Sequence, residues 1–247
     1  MISLRSGRIK LDSSGADMKC ESVMTNKKCR LIVIDGLDGS GKATQTKRLC
    51  EQLKAKGFKA RTLSFPDYES DTSALVRMYL GGQLGDSPDD VNAYAASSFY
   101  AVDRVASFLN SWGKDYQTYD YIIADRYVTS NLIHQMAKVA EDERDDYIDW
   151  LFDFEYRRLG VPEPDMVIFL DVKPEISQQL MLARYQGDES KKDIHESNFN
   201  YLMRCRKSAM YAIEKLGWTV ISCDDGEKMR SIESIGDEIM SLINAGE

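Results

Sequence analysis

Residues 36–44 read Gly-Leu-Asp-Gly-Ser-Gly-Lys-Ala-Thr, and their types and order suit one task, the gripping of phosphate. Gly36, Gly39 and Gly41 let successive backbone N–H groups turn inward around phosphate oxygens, and the Lys42 ammonium is spaced to reach a β and a γ phosphate. The apolar run Leu31-Ile32-Val33-Ile34-Asp35 precedes this turn and a helix-patterned stretch follows it. The positive end of that helix therefore faces the same anion. Leu37, Asp38 and Ser40 complete the loop, and the ligand expected is a nucleoside triphosphate. The residue after such a lysine is ordinarily Ser or Thr, whose hydroxyl ligates Mg²⁺. Here it is Ala43, with Thr44 one place late.

Other chemistry-bearing groups follow later apolar runs. Phe65-Pro66-Asp67-Tyr68 closes a second strand pattern and Asp125-Arg126-Tyr127 a third. Tyr100 and Arg104 lie one helical turn apart and share a face. Asn131, His134 and Gln135 fall on successive turns of the helix pattern after the third strand.

These groups need a frame that turns them toward one place. Strand patterns over 30–35, 59–65, 121–125, 166–171 and 218–222 alternate with helix patterns over 42–56, 72–80, 88–112 and 129–159. A further helix begins after Pro174, is interrupted by the charged residues 188–196 and resumes to Leu216, and a last one ends near Asn244. That alternation predicts an α/β fold, a three-layer, doubly wound, five-stranded parallel sheet with its ligands at the carboxyl ends of the strands. Residues 1–28 carry no sustained period and read as a disordered extension, leaving 29–247 as a single domain.

Composition narrows the partners. With 40 acidic against 32 basic residues the net charge is −8, which argues against a general grip on a nucleic acid polymer or an anionic membrane and for a small substrate. The five cysteines are scattered without a Cys-x-x-Cys pair, so neither a disulfide framework nor a zinc site is indicated and a reducing cytoplasm fits. The apolar stretches fall short of the ~20 residues a membrane helix requires, and the first residues lack a secretory h-region.

In this combination and order the motifs resemble those of the thymidylate kinases, P-loop nucleoside monophosphate kinases that move the γ-phosphoryl group of ATP to dTMP. The similarity runs from about Cys29 to the C-terminus. It rests on the phosphate loop, Phe65-Pro66, Asp103-Arg104 inside a helix, Asp125-Arg126-Tyr127, and the run from Pro164 through Val172 with Pro174-Glu175. The resemblance implies the P-loop kinase fold with a short mobile lid at about 184–196, ATP with Mg²⁺ as phosphoryl donor, and a homodimer packed through helices. It implies that Asp38 bonds the acceptor sugar 3′-hydroxyl, Tyr100 stacks on thymine, Arg104 reaches the base edge, and Asn131 and Gln135 offer amides on the base-facing side. Arg126 would grip the acceptor phosphate and Asp125 would hold Mg²⁺ through water or orient the acceptor. Lys191 or Lys192 of the lid would supply a cation to the transition state, since Gly39-Ser40 offers none, and Arg184 would pack on adenine.

Three positions depart from the family pattern. Ala43 alters the Mg²⁺ arrangement. Tyr68 stands where many members have an arginine for the acceptor phosphate, and His134 stands where a tyrosine often guards against a ribose 2′-hydroxyl. An imidazole there is expected to titrate near neutrality and to make acceptor binding pH-dependent. Two other readings share part of the pattern: a kinase for another nucleoside monophosphate or a deoxynucleoside, and a non-catalytic nucleotide-binding pseudokinase. Ala43 favours the pseudokinase, and Lys42, Asp125 and Arg126 oppose it.

Overall fold

In the central strand β1 (Arg30–Asp35) every side chain from Leu31 to Asp35 is buried, and alternate residues serve opposite cores. Leu31 and Val33 enter one apolar cluster, Ile32 and Ile34 the other, as a pleated strand covered on both faces requires. The computed structural model describes residues 29–184, 193–196 and 198–245. The extension expected at 1–28 and the lid residues Lys191 and Lys192 lie outside these. So does the side chain of Arg184.

From β1 the chain enters α1 (Lys42–Ala55), β2 (Ala60–Ser64), α2 (Ala74–Leu80), α3 (Ala93–Ser107), β3 (Tyr121–Asp125), α4 (Thr129–His134) and α5 (Arg144–Phe152). It continues through β4 (Met166–Asp171), α6 (Pro174–Arg184), α7 (Phe199–Leu216), β5 (Thr219–Ser222) and α8 (Ile232–Ala245). The strands pair in the order β2-β3-β1-β4-β5, all parallel. Helices α1 and α8 cover one face through Leu49, Leu53, Ile235 and Ile239. Helices α4, α5 and α7 cover the other through Leu132, Leu151, Tyr201 and Ala209. The expected three-layer, doubly wound α/β sheet is therefore present.

Strands β1 and β3 are neighbours, yet the helices that follow them pack on opposite faces. Their carboxyl ends therefore diverge and open a crevice, the usual ligand position in such sheets. The phosphate loop leaves one of these ends and Asp125-Arg126 the other.

The helix expected over 129–159 is not continuous. Helix α4 is followed by a 3₁₀ turn at Met136–Lys138, extended backbone at Val139 and Ala140, and a second turn at Glu141–Glu143 before α5. Two causes act here, one across the fold and one local. The Lys138 ammonium is drawn across to the Tyr79 hydroxyl and the Val91 carbonyl, and Glu141, Asp142 and Glu143 form an acidic start that suits the positive end of a new helix. Beyond α5 the backbone widens into a π-helical turn at Asp153–Arg158, within which Glu155 is fully buried.

Candidate active site

Gly41 begins the helical end of the phosphate loop in left-handed backbone, φ 88°, which glycine adopts without Cβ strain. At Gly36 the constraint is also space, because a Cβ there would lie 2.6 Å from Ser40 Oγ and 2.7 Å from the Leu170 carbonyl. The Lys42 ammonium donates to the Leu37 carbonyl at 2.8 Å and folds back over the loop. Burial, together with the nearby Arg126 charge, lowers the Lys42 pKa to about 8. A lysine kept in this state favours an anion that restores its proton.

From Asp38 to Thr44 the loop lines a cavity of about 900 Å³, and Phe65, Pro66, Tyr68, Tyr100, Arg104, Asp125, Arg126, Asn131, His134 and Gln135 line it too. Gly36 and Leu37 do not. Leu37 is buried in the core, and its contribution to the site is the carbonyl that holds Lys42. Residues far apart in the chain thus meet as the motif order implied, with these two exceptions.

Each wall is held by a specific contact. Asp35, fully buried beneath the loop, accepts from the Gly36 N–H at 2.9 Å and from the Thr129 and Ser130 hydroxyls, both at 2.8 Å. One carboxylate thereby ties the end of β1 to the start of α4. Asp103, beside Arg104 on α3, accepts from Asp67 N–H at 2.9 Å and from the Thr72 hydroxyl at 2.6 Å, fixing the segment after β2. Arg77 donates to the Tyr68 and Ser70 carbonyls of the same segment. The Phe65-Pro66 peptide is cis.

Arg126 sits at φ 66°, the one non-glycine residue among those described with positive φ. Strain of this kind persists only where surrounding contacts over-determine it, and it clusters at functional sites. Its guanidinium pairs with the Asp38 carboxylate and lies 3.0 Å from His134 Nε2. Burial opposes the charge on both members of the ion pair. Even so, Arg126 and Lys42 hold the Asp38 carboxyl well below the usual carboxylate range, and Asp38, Asp35 and Asp125 keep Arg126 protonated. Asp125 differs: burial raises its pKa, and its Oδ1 has no hydrogen-bond partner.

His134 departs from expectation. It is buried, and burial with the adjacent Arg126 charge pushes its pKa down to about 3, so it stays neutral where it was expected to titrate. Arginine has only donors, so His134 Nε2 accepts and the proton sits on Nδ1, which has no partner. Gln135 is fully buried at the end of α4, and neither of its amide atoms forms a hydrogen bond of good geometry.

Arg104 is no surface ion pair. It is 1% exposed, and Nε and Nη2 bond the two oxygens of Glu155 at 2.7 and 2.6 Å, with Nη1 on the Tyr127 carbonyl at 3.2 Å. Asn131 Nδ2 also bonds Glu155, at 3.1 Å. Glu155 therefore orients two candidate base-reading groups. Sequence reasoning missed it, although Glu155 stands directly between the aromatic residues Phe154 and Tyr156, a weak but visible signal. It also missed Asp35, Ser130 and the cavity-lining Asp193, His195 and Glu196. The last three sit in a charged segment where only the rarity of histidine stood out.

A glycine-bent phosphate loop and an arginine-bearing strand end that face one crevice of a parallel sheet define a P-loop phosphotransferase. Residues 34–233 match the family model for thymidylate kinase. The chain is 32% identical over 191 residues to the thymidylate kinase of Mycobacterium tuberculosis, spanning 76% of this chain and 87% of that protein. It is 30% identical over 230 residues to the thymidylate kinase of Schizosaccharomyces pombe, spanning 88% and 94%. Its fold matches that of the thymidylate kinase from Candida albicans with a TM-score of 0.64 at 20% identity, over 89% and 92% of the two chains. This chain belongs to the thymidylate kinase family.

Proposed function

We propose that the protein transfers the γ-phosphoryl group of ATP to dTMP, giving ADP and dTDP. The observation that carries this reading is the convergence of Lys42 and Arg126, from two neighbouring strand ends, on one cavity that also presents Tyr100 and Arg104. An oxygen of the acceptor phosphate attacks the γ-phosphorus as the bond to the ADP oxygen breaks. Such a transfer needs two phosphates held in line and its charge neutralised, with little covalent help from the protein.

Loop N–H groups and Lys42 hold the donor phosphates, and Arg126 holds the acceptor phosphate. Tyr100 offers an aromatic face to the base, and Arg104 with Asn131, both set by Glu155, offers donors to its edge. Asp38 turns toward the sugar once the acceptor phosphate takes Arg126. Tyr68, where an arginine is common, leaves the acceptor phosphate to Arg126. Lys191, Lys192 and Arg184 keep the lid roles that the family resemblance implies.

Mg²⁺ fits the donor set. Asp125 Oδ1 and Ser40 Oγ are buried without partners, and hard oxygens of this kind suit that ion. Asp125 would hold it through water. Among the described residues no cluster of acidic, histidine or cysteine side chains forms a metal cage, and with Ala43 offering no hydroxyl the substrate phosphates and waters would supply further ligands. Bound there, Mg²⁺ would neutralise charge on the phosphoryl oxygens.

A homodimer is part of this reading, supported by Val102 and Leu109, exposed and two turns apart along α3 and its continuation. Among the described residues no helix is long and apolar enough to cross a membrane, and Cys50, Cys205 and Cys223 are free thiols. Thiols of this kind fit a cytoplasmic location.

ADP formation measured with a panel of acceptors tests the assignment. The highest kcat/KM is expected with dTMP, ahead of dCMP, dGMP and thymidine. Thymidine as the better acceptor would remove the role given to Arg126.

A further inference from the structure

One buried polar cluster behind the cavity has no part in the chemistry above. The Tyr79 hydroxyl, on α2 and 1% exposed, is shared by three groups: Lys138 Nζ at 2.7 Å, His195 Nε2 at 2.9 Å and the Pro88 carbonyl at 3.2 Å. Lys138 also donates to the Val91 carbonyl at 3.0 Å. Neither Tyr79 nor Lys138 lines the cavity, but His195 does.

His195 is wedged on three sides. Its ring meets Tyr79 edge-on at 5.3 Å and Tyr201 at 4.8 Å, and it lies nearly parallel to His134 at 5.8 Å. Its segment is pinned further where Ile194 N–H donates to the Leu80 carbonyl at 3.3 Å and the Asp193 carboxylate accepts from His195 N–H at 2.8 Å. His134 in turn braces Arg126, and the Tyr201 hydroxyl donates to the His134 carbonyl at 2.7 Å. A continuous line of contacts thus runs from Lys138 through Tyr79, His195 and His134 to the guanidinium proposed for the acceptor phosphate. Lys138 donates only, so the Tyr79 oxygen accepts from it. The three-way contact fixes the His195 ring in either tautomer.

We propose that Lys138 and Tyr79 are positioning residues for the acceptor, holding His195 against His134 so that Arg126 meets the acceptor phosphate in one orientation. This rests on the acceptor role given to Arg126 above. Deleting the Tyr79 hydroxyl frees the His195 ring, loosens the packing beneath His134 and weakens acceptor binding, while the donor half, built on the loop and α1, stays as it was.

The chain has two histidines, His134 and His195, so the imidazole signals of the ¹⁵N-labelled protein report on the line of contacts directly. In the native protein both rings are held neutral by burial. The groups facing His195 are His134, Lys138, Asp38, Arg126, Tyr79, Tyr201 and Asp193.

The experiment compares native protein, Tyr79→Phe, Lys138→Met and Lys138→Arg by imidazole titration and by steady-state kinetics with ATP and dTMP. Tyr79→Phe and Lys138→Met are expected to raise the dTMP KM about five-fold or more, the scale of one lost hydrogen bond, with ATP KM and kcat within about two-fold. The His195 titration should move up toward about 6.5. Lys138→Arg, which keeps a donor to Tyr79, should restore both. A fall in kcat with dTMP KM unchanged, or a His195 titration unmoved by either variant, overturns the proposal. If the native protein fails to phosphorylate dTMP, the functional reading falls, and the histidine titration still decides whether Tyr79 and Lys138 position His195.

Discussion

Arg126 spans the cavity between Asp38 and His134, with one guanidinium nitrogen on the Asp38 carboxylate and another 3.0 Å from His134 Nε2. The pair neutralises two partly buried charges. In the acceptor role proposed for Arg126, a phosphate that enters would compete with Asp38 for the same donors, and the contact seen in the free protein would be the one that binding exchanges. Double-negative phosphate offers the guanidinium more charge than one carboxylate does, which favours the exchange.

The φ of 66° at Arg126 separates catalysis from strain. Arg126→Ala and Arg126→Gly should both lose kcat/KM for dTMP by about 10²-fold or more, since each removes the charged fork. The glycine variant should nonetheless be the more stable of the two by about 1 kcal/mol, because left-handed backbone penalises a Cβ. Urea unfolding of both proteins checks this, and equal midpoints would mean that the backbone relaxes once the side chain is gone.

Lys42, lowered to about 8 by burial and by Arg126, gives a pH dependence of definite sign. The ammonium is the form that binds phosphate, so kcat/KM for ATP should be level below about pH 8 and fall about tenfold per unit above it. Stability runs the other way. Between about 8 and the ordinary lysine value the unfolded chain holds more protons than the folded one, so unfolding free energy rises with pH there. Lys42→Met should abolish that rise and lower kcat by about 10²–10³-fold. A native profile for kcat/KM that stays flat to pH 9.5, past the level predicted from a free-enzyme value near 8, would exclude Lys42 as the titrating group.

The frame of this site was legible in the sequence because strand periodicity is local. The apolar runs at β1, β3 and β4 have the bounds that pattern alone assigns, and the loop glycines mark the turn between β1 and α1. What escaped was long-range or irregular. Arg104 showed its type and spacing, but its partner Glu155 lies 51 residues on, inside a π-helical turn that no helical repeat indicates. The break after α4 depends on Lys138 reaching Tyr79, a contact across the fold. His134 lines the cavity, yet its charge state depends on burial and on Arg126, which sequence does not display.

The Arg104–Glu155 pair, with side chains 2% and 0% exposed, should separate stability from recognition. Glu155→Ala leaves a buried guanidinium unpaired and should cost about 3–5 kcal/mol. Replacing both partners, Arg104→Met with Glu155→Leu, should recover most of that loss because no buried charge remains. The double variant should still show depressed kcat/KM for dTMP while its ATP KM is unchanged. Recovery of both stability and dTMP kcat/KM would mean that Arg104 is structural only.

His134, neutral down to about pH 3, should contribute nothing to the pH dependence of acceptor binding across the neutral range. Among the described residues a group expected to titrate there is Asp193, which lines the same cavity and whose carboxyl burial pushes up to about 6. Its ionisation adds negative charge beside an anionic acceptor, so the native dTMP KM should rise relative to Asp193→Asn as pH increases through about 6. The acceptor phosphate has its own ionisation near pH 6, and taking the ratio of native to variant KM at each pH cancels it. That ratio should climb between about pH 5.5 and 7.5 for Asp193→Asn and stay level for His134→Gln. A sloping ratio for His134→Gln would mean that the imidazole gains a proton in the working protein and that Arg126 does not hold it neutral.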